Sequence, residues 1–74
     1  MTFSDRIEEV CREFNFAHAH VRHDEMTQYA RDLAYMEERT INYVLGTLAI
    51  PLVRDTRGYI TAFEIMGVHR EVRS

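Results

Sequence analysis

The sequence predicts a small α+β domain of three helices, a short strand between the first two, and a C-terminal β-hairpin. Three observations predict it. Apolar residues recur at helical spacing in Ile7, Val10, Cys11 and Phe14, and again in Ile41, Val44, Leu45 and Leu48, each set forming a single stripe. After Pro51 the period drops to two, with Tyr59, Thr61, Phe63 and Ile65 alternating with their neighbours. A chain of 74 residues makes one domain, 1–74, and buries only roughly 60% of its unfolded surface.

The first helix is expected over residues 4–15. Ser4 is a good cap and Asp5 puts a negative charge at the positive end of the helix dipole. Its stripe makes Cys11 a core residue, while Glu8, Glu9, Arg12 and Glu13 are expected to face out. The stretch FAHAHVRH alternates with period two and carries no cap, which reads as a brief strand over 18–22. Asp24 then caps a helix over 24–34 with Met26, Ala30 and Leu33 on one side.

Near AYMEER the apolar phase shifts, so a tight turn and a separate helix over 37–49 are expected. One continuous helix from Asp24 to Ala49 is the competing reading. Pro51 stops the helix and pushes Ile50 into an extended conformation. Asp55, Thr56, Arg57 and Gly58 are turn residues between LVR and YITAFEI, giving a hairpin over 52–65. The tail 66–74 shows no clear pattern; its Val68 and Val72 suit either packing on the first helix or a dimer seam.

Charge is uneven along the chain. Net charge is −3, with nine acids against four arginines in residues 1–38 and five arginines against three acids in 39–74. All nine cations are arginine, which suits bidentate contacts to phosphate or guanine and equally suits a GC-rich genome. A single cysteine rules out an intramolecular disulfide, and no apolar run is long enough to span a bilayer. A soluble cytoplasmic protein is the expectation.

His18, His20 and His23, followed by Asp24, resemble the histidine string of metallo-β-lactamase-like hydrolases, with Arg22 where that motif has its aspartate. That fold needs a far longer chain. A zinc site from His18 and His20 with His23 or His69 is geometrically conceivable, but no cysteine pair accompanies it. We read the histidines as a solvated strand edge and expect no metal and no cofactor. Nor does any phosphate loop or nucleophile–base spacing point to an enzyme.

Helix, short extended segment, helix, turn, helix, hairpin is the element order of a winged helix. The segment MTQYARDLAYMEERTINYVLGTL resembles the paired helices of bacterial winged helix-turn-helix transcription regulators. Ala30, Leu33, Met36, Ile41 and Val44 stand at the apolar positions of that family, with Thr40 as the hydroxyl residue before Ile41. LVRDTRGYITAFEI is similar to the family's wing, where a D-x-R pair often approaches phosphates. The likeness spans roughly residues 20–63 and departs from the family at Arg31, normally small, and Tyr35, normally glycine.

The resemblance implies a small dimeric transcription regulator on double-stranded DNA, with residues 37–49 in the major groove. Periodicity turns Glu38, Arg39, Asn42, Tyr43 and Gly46 outward. Arg39 and Asn42 would then meet guanine and adenine edges and Tyr43 a phosphate, with Thr40 beside them. Arg54 and Arg57 would contact the backbone or minor groove. Glu37 and Glu38 oppose this, because carboxylates at the groove end of a recognition helix repel phosphate. The alternative is an adaptor or inhibitor that binds a protein partner and never touches DNA.

Overall fold

A computed structural model describes residues 2–22 and 28–73 and shows an α+β fold of two helices and a three-stranded antiparallel sheet. Helix α1 is Phe3–Arg22 and α2 is Gln28–Thr47; strands β1 (Leu52–Arg54), β2 (Ile60–Ile65) and β3 (Val68–Glu71) follow as a meander with β2 in the centre. Helix α1 packs against both α2 and β2. The core between the layers is Ile7, Cys11, Phe14, Ile41, Leu45, Ile60 and Phe63. Ile7, Cys11 and Phe14 of the first predicted stripe and Ile41 and Leu45 of the second lie in it, with Val10 and Val44 packed against it, whereas Leu48 is 48% exposed beyond the end of α2. Burial pushes the Cys11 thiol up to about 11, so it stays protonated at neutral pH.

Four expectations are corrected. Thr2, and not Ser4, caps α1: its hydroxyl accepts the Asp5 N–H at 3.1 Å while its own N–H donates to Asp5 Oδ2 at 3.0 Å. This is a reciprocal capping box. The strand over 18–22 is absent, because α1 runs through it. Phe14, Ala17, His18 and Val21 continue the helical stripe, alanine favours helix, and no glycine or proline intervenes.

The helices expected at 24–34 and 37–49 are one helix where the structure describes them. Leu33, Glu37, Ile41 and Val44 form an unbroken inner face in which Glu37 is half-buried, and that single carboxylate is what mimics a change of phase. The proposed cap at Asp24 lies outside the described residues, as does His23. A Schellman motif ends α2, with the Ile50 N–H on the Leu45 carbonyl at 2.9 Å and the Ala49 N–H on Gly46 at 3.2 Å. Ala49 occupies the left-handed position usually given to glycine (φ 54°).

The hairpin over 52–65 forms as expected from β1 and β2. Asp55 organises its turn: Oδ1 accepts the Arg57 and Tyr59 N–H groups at 2.9 and 3.1 Å. The tail is a third strand. Met66 and Gly67 (φ 53° and 79°) make a two-residue turn of the mirror-image type that matches sheet twist, and Ile65 then pairs with Val68. Arg70 on β3 reaches back to α1, binding Glu8 Oε1 at 3.1 Å and the carboxylate of Asp5. Glu8 is thereby 7% exposed, buried where the sequence placed it in solvent.

Two carboxylates hold their charge unusually firmly. The Thr2 backbone N–H, then the Arg70 guanidinium, hold Asp5 well below the ordinary carboxylate range, and the Arg57 side chain lowers Asp55. A pKa lower in the folded than in the unfolded chain adds stability above the unfolded value, and that stability drains away as pH falls through the folded value. The denaturation midpoint is expected to decline below roughly pH 4. Asp5→Asn with Asp55→Asn should flatten that decline in a urea series across pH; an unchanged acid slope in the double variant would place the loss elsewhere.

Candidate functional site

Helix α2 presents the main candidate surface. Its inner positions Ile41 and Leu45 lock one face into the core, which fixes Tyr35, Met36, Arg39, Thr40, Asn42 and Tyr43 on the outside. Tyr35, Met36 and Tyr43 are 65%, 62% and 76% exposed, unusual for side chains so large. Tyr35, Arg39 and Tyr43 follow one another at successive turns, and the Arg39 guanidinium stands 6.0 Å from the Tyr35 ring centroid. The Thr40 hydroxyl donates to the Met36 carbonyl at 2.9 Å and so turns back onto its own helix.

The hairpin arginines are engaged within the chain. Arg54 lies 3.6 Å from Glu38 Oε1, donates to the Gly58 carbonyl at 3.4 Å, and covers the Phe14 ring at 4.9 Å. Glu38 thus meets a cation of its own fold. Arg57 binds Asp55 Oδ2 through Nη2 at 2.8 Å and lies 4.6 Å from the Tyr59 ring. The side chains of Arg54 and Arg57 therefore point to Glu38 and Asp55, while Arg39, Asn42 and Tyr43 of the expected set face outward on the helix.

The histidine stretch anchors the hairpin to α1. His18 Nε2 donates to the Arg57 carbonyl at 2.7 Å, and its ring stacks on Phe14 and meets Tyr59 edge-on. A β-carbon on Gly58 would sit 3.0 Å from His18 Nε2, and its φ of +92° also favours glycine. His20 turns the other way, donating to the Phe16 carbonyl at 2.9 Å and packing on that ring at 4.3 Å. Among the described residues no three histidine, cysteine or carboxylate side chains converge as metal ligands.

Periodicity alone does not single out the ridge of α1 formed by Arg12 and Phe16. A groove of about 490 Å³ lies on one side, walled by Arg12, Arg57 and Arg73 with Asp55, over Tyr59 and Ile60. A second, of about 350 Å³, lies on the other, walled by Glu9, Glu13 and Glu37 with Arg12, over Ala17 and Leu33. Phe16 borders both. The signal available in the sequence is Phe16 itself, an aromatic residue off the apolar stripe of its own helix. Among the described residues, no helix is long and apolar enough to cross a membrane. Comparison with protein-family models, curated proteins and solved structures finds no match, so function has to be read from these surfaces.

Proposed function

We propose that the protein is a small binding module that docks a protein partner on the outer face of α2. The exposure of Tyr35, Met36 and Tyr43 on one helix carries this reading. Tyrosine and methionine supply large contact area, and aromatic residues with arginine are the usual energetic centres of an interface. Arg39 is the single charge among them and would select a partner carboxylate.

Duplex DNA is the second reading, in which the chain is a distant winged helix protein. The shared exposure of Arg39, Thr40, Asn42 and Tyr43 favours it. It is the weaker of the two, because bringing Arg54 and Arg57 to phosphate breaks their pairing with Glu38 and Asp55, and the net charge is −3.

One set of variants separates the readings. Tyr35→Ala, Met36→Ser and Tyr43→Ala are combined and compared with parent protein and with an Arg54→Ser, Arg57→Ser pair, each in affinity capture from source cells and in NMR titration with a mixed-sequence duplex. Loss of a captured partner by at least roughly 30-fold in the α2 variant alone, with no duplex shifts, is the expected result. Shifts on Arg39 to Tyr43 that fade with salt, and vanish in the arginine variant, would replace protein with DNA.

A further inference from the structure

We propose that two copies of this chain associate through α1, ridge to ridge, so that the arginine-walled groove of each covers the glutamate-walled groove of the other. This contact involves none of Tyr35, Met36, Arg39 and Tyr43.

The two grooves flank one ridge and oppose each other in charge. Arg12 stands on the ridge and borders both; beyond it Arg57 and Arg73 face Asp55 on one side, and Glu9, Glu13 and Glu37 stand on the other, which leaves one positive charge in excess against three negative ones. Both floors are apolar. Phe16 stands on the ridge between them 63% exposed, an aromatic ring that the fold itself leaves in water.

Within the chain Glu9 pairs with Arg6, Arg12 with Glu8 and Arg57 with Asp55, and the rest of the groove charge is unspent. Glu13 and Glu37 have no ion-pair partner among the described residues, and neither does Arg73. Burial, and then the Glu13 charge, push the Glu37 carboxyl up. Two carboxylates brought together without a cation weaken the folded state, so they gain most from a cation supplied from outside. The matching cations sit across the same ridge, on the same chain.

Symmetry makes the match reciprocal. A two-fold axis running along the Arg12–Phe16 ridge sets Phe16 against Phe16 and carries each basic groove over the partner's acidic one. An axis across the ridge would oppose like with like. The contact is isologous and closes at two copies, giving a domain of only 74 residues additional buried surface.

Analytical ultracentrifugation over a concentration series tests this with charge exchange. The parent should dimerise, with Phe16→Ser weakening it at least roughly tenfold. Glu13→Arg with Glu37→Arg makes both grooves basic, and Thr61→Glu with Arg73→Glu, both lining the arginine-walled groove, makes both acidic. Each double variant alone should be monomeric, and an equimolar mixture should restore a dimer. Restoration also proves both variants folded. A parent that stays monomeric at millimolar concentration, or a dimer that survives Phe16→Ser and both charge reversals, would overturn the proposal. So would a dimer abolished only by Tyr43→Ala, which would move the contact to α2.

Discussion

Truncating Phe63 to alanine is expected to lower the unfolding free energy by about 3–5 kcal/mol. The ring is 1% exposed, in the cluster where both helices and the central strand meet. It sits mid-strand between Leu52 of β1 and Arg70 of β3, with its ring among Ile7, Cys11, Phe14, Ile41, Leu45 and Ile60. A chain of 74 residues has a total stability of roughly 4–11 kcal/mol. Most of that margin is therefore lost with one side chain. Urea denaturation followed by circular dichroism measures it, with Phe63→Leu as the comparison that keeps most of the volume and should lose less than half as much. A loss below about 1 kcal/mol for alanine would mean the core does not centre on β2.

The parts of this fold that local pattern specifies were legible, and the parts that depend on distant partners were not. Ile7, Cys11 and Phe14 announce α1, and the turn from Asp55 to Gly58 announces the hairpin, because each signal is complete within a few residues. FAHAHVR satisfies two periods at once, and the packing of His18 under Tyr59 and the Arg57 carbonyl favours the helical one. The apparent break in α2 comes from Glu37 standing in an apolar row. The third strand was hidden because methionine rarely takes the left-handed conformation that Met66 adopts, so the turn carries no asparagine or aspartate signal.

The candidate surfaces divide in the same way. Outward positions on α2 follow from its inner stripe, so the exposure of Arg39, Asn42 and Tyr43 could be read in advance. The capture of Arg54 by Glu38 could not, since no local rule couples a hairpin arginine to a helix glutamate. The ridge at Arg12 and Phe16 gains meaning only once α2 and the hairpin have built a groove on each side of it.

Asn15→Ala is the second large effect expected, and it tests the joint between helix and sheet. The Asn15 carboxamide donates from Nδ2 to the Ile60 carbonyl at 2.9 Å and accepts the Ile60 N–H on Oδ1 at 2.8 Å, the pairing a neighbouring strand would offer. It is needed there because the strand ladder gives out. The register slips at the bulge between Val53 and Arg54, and on the other side the last bond from the β3 end runs from Val72 to Thr61. Alanine leaves both Ile60 groups unpaired in a part-buried site, at about 1–3 kcal/mol each, and returns roughly 0.5 kcal/mol in helix propensity. The net loss should be about 2–5 kcal/mol by denaturation. Amide exchange locates it: the Ile60 N–H should lose protection in advance of Phe63. Asn15→Asp keeps the acceptor but sets a carboxylate against the Ile60 carbonyl, so its loss should be smaller in acid than at neutral pH. If the alanine variant stays within about 0.5 kcal/mol of the parent and Ile60 remains protected, the sheet holds Ile60 without Asn15 and the clamp has no energetic role.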